Sequence, residues 1–387
     1  MVKVNCLNPI AKVGMNLLPD AFGTTDNLNE ADAVLVRSAA MHELALPKSL
    51  LAIARAGAGV NNIPLDKCAD EGIVVFNTPG ANANGVKELV IAGMLLAARD
   101  IRGGMDWVGA NKDDEAINKT MEKAKAKFAG TELKGKKLGV IGLGAIGVII
   151  ANAATHLGME VIGCDPFLSV ANALNLSHNV KIVKSNSEIF AECDYITVHV
   201  PLLDDTKGMF NKASLSMMKD GVVILNFSRD LLVNEDDMGE AIASGKVAKY
   251  VTDFPTKKIA NMDNVIAFPH LGASTAESED NCAVMAVKQI VDYIENGNIT
   301  NSVNYPAMDA GKCQTAARIC VCHKNIPNML AQFTGVFSAA GINIETMVNR
   351  SRGNYAYTVL DICAKATAEL VDKVNAIEGV LKARAIQ

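Results

Sequence analysis

The sequence predicts an α/β protein whose first two-thirds form parallel sheets and whose end is a small βαββαβ module. Short β-like runs at 33–36, 53–56 and 73–76, each followed by turn formers, alternate with helical patterns. A second such rhythm opens at Lys137 and passes through runs near Val161, Tyr195, Val222 and Lys249 to 265–267. The block from 316 to 387 then reads strand, helix, two strands, helix, strand. A chain of 387 residues has room for two or three domains, and its 50% hydrophobic content supports real cores rather than disorder.

The elements group as follows. A helical apolar run at 88–99 gives way to Gly103-Gly104 and a charged segment at 112–127, which reads as a solvated helical arm beside a domain crossing. An amphipathic pattern at 275–296 is long enough, at about 1.5 Å per residue, to return to the first domain. The expected organisation is a discontinuous first domain over 1–95 and 276–305, a second over 96–275, a linker over 306–315 and the terminal module over 316–387. In that module the strands are expected at 317–322, 343–349, 355–363 and 381–386, with helices at 329–340 and 367–377.

Charge and cysteine usage narrow the function. A net charge of -5 argues against a general affinity for nucleic acid or anionic membrane, and the longest apolar stretch, 89–98, is too short to span a bilayer. Neither is expected as a partner. Nine scattered cysteines suit a reducing, cytoplasmic setting. Cys320-Val-Cys322-His323 lacks zinc-site spacing, so no metal is expected, and its two thiols face one side of a strand as core groups.

The strongest motif lies in the second rhythm: Leu138-Gly-Val-Ile-Gly142-Leu-Gly144-Ala145-Ile146-Gly147, a strand running into G-x-G-x-x-G and then a helix. Gly142 permits the tight turn, Gly144 lets backbone approach a pyrophosphate, Gly147 allows helix and strand to pack closely, and the helix N-terminus supplies N–H donors. The following strand ends in Asp165, eighteen positions beyond Gly147, where a ribose-binding carboxylate belongs. This is a Rossmann-type dinucleotide site, and the carboxylate selects NAD over NADP by repelling a 2′-phosphate.

Three further segments, His199-Val200-Pro201-Leu, Asn226-Phe-Ser228-Arg229-Asp230 and Phe268-Pro-His270-Leu-Gly272-Ala273-Ser-Thr, together with the glycine turn resemble the D-2-hydroxyacid dehydrogenase family. Arg55-Ala-Gly-Ala58-Gly59-Val60-Asn-Asn-Ile also resembles this family, and Val36-Arg37-Ser38 resembles its phosphoglycerate dehydrogenase branch. Cys322-His323-Lys-Asn325-Ile-Pro and Gly341-Ile-Asn343-Ile resemble an ACT domain, the serine-sensing module of many such enzymes. The resemblance implies a flavodoxin-like substrate domain, a Rossmann-type NAD-binding domain and an ACT-like regulatory domain.

It also implies a function: NAD-dependent oxidation of 3-phosphoglycerate to 3-phosphohydroxypyruvate, the first step of serine biosynthesis, in a homodimer or homotetramer regulated by serine. His270 matches the general base and Arg229 the carboxylate clamp. Val200, Pro201, Ser228, Asp253, Gly272 and Ala273 match cofactor-loop positions with His199. Arg37, Arg55 and the Ala58-Gly59-Val60 loop match the substrate site. His323, Asn325 and Asn343 match effector positions. The chain departs from the family at Lys257-Lys258, where a glutamate usually partners the histidine, so Lys257 stands as a candidate catalytic cation. Asp230 replaces a common glycine and is expected to ion-pair with Arg229. Two other functions fit the resemblance: a hydroxypyruvate or glyoxylate reductase, and a non-catalytic NAD-sensing scaffold.

Overall fold

The computed structural model describes residues 1–387, which divide into two compact units: 1–81 with 276–387, and 82–275. In the first unit, five parallel strands, β1 (Val2–Cys6), β2 (Phe22–Thr25), β3 (Ala33–Val36), β4 (Ala52–Arg55) and β5 (Val74–Phe76), lie in the order β2-β1-β3-β4-β5. β3 and β5 are buried at every residue, the continuous apolar signature of a parallel sheet covered on both faces. One face meets the helix Ala276–Asn296, whose Val287, Ile290 and Tyr293 pack with Val4, Leu35 and Phe76. β1 and β2 escape the apolar pattern because Lys3, Asn5, Gly23 and Thr24 interrupt it.

The second unit holds a seven-stranded parallel sheet of β6 (Lys137–Ile141), β7 (Glu160–Cys164), β8 (Lys181–Ile182), β9 (Tyr195–Val198), β10 (Val222–Asn226), β11 (Val247–Thr252) and β12 (Val265–Ala267). Its order is β12-β11-β10-β9-β6-β7-β8, so the chain runs outward one way from β6 and then the other way from β9. The reversal between β6 and β9 is a topological switch point, where open α/β sheets form a crevice beyond the carboxyl ends of their strands. Helices Ile101–Ala110 and Ile117–Ala124 bury no residue and form the solvated arm.

The final block forms an antiparallel sheet of β13 (Ala317–Lys324), β14 (Ile344–Arg352), β15 (Tyr355–Ile362) and β16 (Val380–Ile386), ordered β14-β15-β13-β16. Helices Met329–Ala339 and Ala368–Asn375 contribute Phe333, Phe337, Leu370 and Val374 to the core on one face.

Three features of the expected organisation change. The second unit begins at Asn82 rather than 96, because Val86, Val90 and Met94 of the helix Ala83–Ala98 share a core with Val140, Leu225 and Val251. The terminal block is not separate from the first unit. Cys320, Cys322, Tyr357 and Val359 point from the sheet's other face into the core containing Phe76, Ile290 and Tyr293. Nor is 306–315 a loose linker: Met308 is buried, and Ile299 and Met308 form a bridge.

Arg318 secures this junction. Its guanidinium grips Asp361 through two bonds of 2.6 and 2.8 Å and donates to the carbonyls of Asn296, Gly311 and Ala310. Arg318 is 1% exposed, so its loss strands a largely buried carboxylate and three carbonyls. Arg318→Met is expected to cost about 3–5 kcal/mol, read as a lower midpoint in thermal or urea unfolding.

Candidate functional site

The glycine turn after β6 is built by close contacts. Gly142 has φ +89, and a Cβ there would lie 2.5 Å from the His199 carbonyl oxygen. A Cβ on Gly147 would lie 1.9 Å from the Gly142 carbonyl oxygen, so the helix Ala145–His156 can start against the turn only with glycine. Gly144 differs: nothing lies within 4 Å of its Cβ position. This open space faces a helix start with no side-chain cap, which leaves the first N–H groups available to an anion.

Asp165, just beyond β7, is oriented by the turn it serves. Its Oδ2 accepts from the Leu143 N–H and its Oδ1 from the Phe167 N–H, both at 2.8 Å. Each carboxylate oxygen retains a lone pair for a ribose hydroxyl.

Beyond β9, half-buried His199 shares a 2.8 Å bond between Nε2 and Thr197 Oγ1, while its Nδ1 is buried without a partner. Burial holds the imidazole pKa well below the ordinary range, so the ring is neutral. Val200 lies over Gly142, and the Pro201 carbonyl accepts from Thr206 Oγ1 at 2.7 Å. Ser228 Oγ donates to the Val198 carbonyl at 2.8 Å, tying the end of β9 to the loop after β10.

That loop carries Arg229. Buried Asn226 shapes it, donating through Nδ2 to the Arg229 carbonyl at 2.8 Å and to the Tyr250 hydroxyl at 3.2 Å. The expected Arg229–Asp230 ion pair does not form. Arg229 Nη1 donates instead to the Ser228 carbonyl at 2.6 Å, and its guanidinium lies 5.7 Å from the centroid of the Phe254 ring. His270 packs against that ring at 4.4 Å between centroids. Phe254 therefore links the two candidate catalytic side chains as a shared platform, a role that no motif in the sequence marks beyond its place in Asp253-Phe254-Pro255.

His270 has φ +50, an uncommon conformation for a side-chain-bearing residue, fixed by its N–H donating to the Asp253 carbonyl at 2.9 Å. Asp253 is 1% exposed. Its Oδ2 accepts from the Gly272 N–H at 3.0 Å, and its Oδ1 has no partner. Burial raises its pKa, against the lowering effects of the Gly272 hydrogen bond and of the neighbouring His270 and Arg229. A Cβ on Gly272 would lie 3.1 Å from Asp253 Oδ2 and 3.3 Å from Val86 Cγ2, tight contacts that favour glycine there. Ala273 follows it, half-buried.

The lysines do not join this group. Both are exposed on the short helix Lys257–Ala260, Lys258 forms an ion pair with Asp236, and Lys257 makes no bond to His270, Arg229 or Asp253.

In the first unit, Arg37 and Arg55 stand together at the ends of β3 and β4, with Arg55 Nε donating to the Arg37 carbonyl at 3.0 Å. Asn8 Oδ1 accepts from three successive N–H groups, Arg37, Ser38 and Ala39, and so holds the turn. The Arg55 side chain lies over Gly57, where a Cβ would meet its Nη1 at 2.3 Å. The Ala58-Gly59-Val60 segment follows, anchored by Asn77 Nδ2 donating to the Ala58 carbonyl at 2.7 Å.

The three effector candidates share no hydrogen bond. His323 is buried, bonded at 2.8 Å to the Lys324 carbonyl and to Thr358 Oγ1, and set edge-on to Phe333. Asn325 and Asn343 are exposed, Asn325 donating to the Gly353 carbonyl at 3.0 Å and Asn343 to Glu345 at 3.4 Å.

Residues 91–272 match the family of D-isomer specific 2-hydroxyacid dehydrogenases, NAD binding domain. A D-3-phosphoglycerate dehydrogenase of Haemophilus influenzae is 31% identical over 353 residues, 88% of this chain and 82% of that relative. The chain belongs to the D-isomer specific 2-hydroxyacid dehydrogenase family. A D-3-phosphoglycerate dehydrogenase of Escherichia coli (strain K12) is 32% identical over 87% of this chain and 82% of its own. The crystal structure of cofactor (NAD+) bound 3-phosphoglycerate dehydrogenase in Entamoeba histolytica superposes with a TM-score of 0.62 at 28% identity, covering 78% of this chain and 98% of that one.

The residues present fit NAD. Gly144 offers a cradle that a Cβ would fill, the helix start offers N–H donors, Asp165 offers acceptors, and His199 Nδ1 and Asp253 Oδ1 are buried polar atoms lacking partners. Gly144→Val is expected to weaken NADH binding by about 30-fold or more by filling the cradle. Its unfolding midpoint should stay near wild type, since φ -74 and ψ -164 suit any side chain. Fluorescence titration and thermal unfolding check the two parts.

Asp253 gives a pH-dependent expectation. Its folded pKa is raised, so the ionised form destabilises the fold above that pKa, and the penalty vanishes below the unfolded value. Asp253→Asn should therefore raise the unfolding midpoint of the cofactor-free protein at pH 7 and lose that advantage near pH 3, while weakening NADH binding.

Proposed function

We propose that this protein is a D-3-phosphoglycerate dehydrogenase, oxidising the C2 hydroxyl of 3-phosphoglycerate with NAD and entering serine biosynthesis. The observation that carries the chemistry is the row Arg229, Phe254, His270 beside Asp253. The substrate rests on the relatives, which are named D-3-phosphoglycerate dehydrogenases over most of their length, and on the paired Arg37 and Arg55.

NAD, when bound, supplies a nicotinamide ring that takes the hydride. The chain's own residues do the rest. Arg229, a planar fork held against the Ser228 carbonyl and Phe254, grips the substrate carboxylate and polarises the C2 oxygen. His270 takes the hydroxyl proton as hydride leaves, its backbone locked to Asp253 and its ring to Phe254. The Asp253 oxygen without a partner would accept a hydrogen bond from the bound cofactor, and the neutral His199 is held to Thr197 at the end of β9. Arg37 and Arg55 receive the phosphate, and N–H groups of Ala58-Gly59-Val60 receive the carboxylate.

Serine is the proposed effector, bound through His323, Asn325 and Asn343 in a homodimer or homotetramer. Exposed Ile101, Met105, Val108 and Met121 on the helical arm support self-association. Nine free cysteines support a cytoplasmic setting.

NADH oxidation with phosphohydroxypyruvate, hydroxypyruvate and glyoxylate in parallel, with and without serine, tests this reading. Phosphohydroxypyruvate should give the highest kcat/KM, and a preference for glyoxylate would replace the assignment with a reductase. Arg229→Ala and His270→Ala should each lower kcat/KM by about 10²–10⁴-fold, whereas Lys257→Ala should leave the pH profile of turnover unchanged.

A further inference from the structure

Arg37, the proposed phosphate ligand, already holds a carboxylate. Its Nη2 lies 2.7 Å from Glu279 Oε1, both side chains being less than half exposed to solvent at 43% and 46%. The pair lines a cavity of about 250 Å³ together with Lys12 and the Pro9-Ile10-Ala11 backbone. Lys12 is brought there by the contact of two helices. Gly14 of Lys12–Met15 lies so close to Ala283 of the long helix that a Cβ would come within 2.6 Å of the Ala283 backbone. Glu279 is one turn before Ala283 on that helix, and Lys12 and Glu279 line the same cavity. Lys12 forms no ion pair of its own, whereas Arg37 does.

The charge count in this cavity decides its selectivity. With Glu279 ionised, Arg37, Lys12 and Glu279 sum to one positive charge, and without it to two, while Arg55 beside Arg37 adds one in either state. A phosphate dianion gains from the higher net positive charge, and an uncharged substrate end gains nothing from either state. We propose that Glu279 is a resident counter-anion of the phosphate site and a specificity-determining residue: a phosphorylated substrate displaces it from Arg37, and Lys12 then joins Arg37 and Arg55 in holding the phosphate. A substrate without phosphate leaves the Arg37–Glu279 pair closed. The Arg37 charge then stays compensated in the resting enzyme, and phosphate affinity is the difference between two anions competing for one guanidinium. This rests on the reading of Arg37 as a phosphate ligand.

The test is steady-state KM for phosphohydroxypyruvate and for hydroxypyruvate, in the full-length enzyme, for Glu279→Gln, Lys12→Met and Arg37→Met. Glu279→Gln should lower the KM for phosphohydroxypyruvate by about three- to fivefold, as expected for removing a partly exposed competing ion pair. The ratio of the two KM values should move by the same factor. Lys12→Met should raise the phosphohydroxypyruvate KM selectively. A rise in that KM on Glu279→Gln would show that the carboxylate positions Arg37 rather than competing for it, and an equal shift for both substrates would remove its role in specificity. If Arg37→Met leaves the phosphohydroxypyruvate KM unchanged, the phosphate assignment itself falls and the proposal with it. A selective rise on Arg37→Met alongside an inert Glu279→Gln sinks only the counter-anion.

Discussion

The carbonyl end of the helix Ala276–Asn296 is the point on which the first unit depends. A helix of this length ends in unsatisfied carbonyls carrying partial negative charge, and here two arginines from the terminal sheet meet them. Arg384 donates to the carbonyls of Tyr293 and Ile294 while lying over the Tyr293 ring, and Arg318 donates to that of Asn296. The Tyr357 hydroxyl adds a bond of 2.8 Å to the Gly297 carbonyl. Because these groups sit on a sheet whose helix-free face carries Cys320, Cys322 and Val359 into the same core, the terminal module and the β1–β5 sheet share one helix as a common spine. The start of that spine carries Glu279, so Glu279 meets Arg37 on an element fixed from its far end.

In the second unit the governing constraint is space rather than charge. Gly142 and Gly147 stand where any Cβ would collide with a carbonyl, at Gly272 a Cβ would crowd a carboxylate, and each brings a backbone N–H or a helix start to a defined place. Gly144 is the exception, open on its Cβ side. Elsewhere in this unit the fold tolerates buried polar atoms that most cores would pair, His199 Nδ1 and Asp253 Oδ1. Such atoms cost stability.

Much of the architecture was legible in the residues. The strands at 33–36, 137–141 and 265–267 and the helix over 276–296 follow from apolar periodicity, and the βαββαβ order of the end from its punctuation by Pro327, Gly341 and Gly353. β1 and β2 were not, because polar residues break their pattern and only their neighbours in the sheet pair them. In the candidate site the glycine turn and Asp165 were legible, since local sequence alone dictates a turn and a strand end. Phe254 was not, because its value lies in facing Arg229 on one side and His270 on the other, residues separated by 25 and 16 positions in the chain.

By itself the sequence determined most of the helices and strands and where the dinucleotide turn lies, which follow from period and turn propensity; the side chains suited to an anionic hydroxy acid followed from its resemblance to the family. Only the tertiary structure decided that the terminal module is fused to the first unit, that Asp230 leaves Arg229 to the Ser228 carbonyl, that Lys258 faces Asp236, and that Glu279 occupies Arg37. Each of those outcomes is a choice among partners far apart in sequence, settled by burial and by which charged group the packed backbone brings within bonding distance.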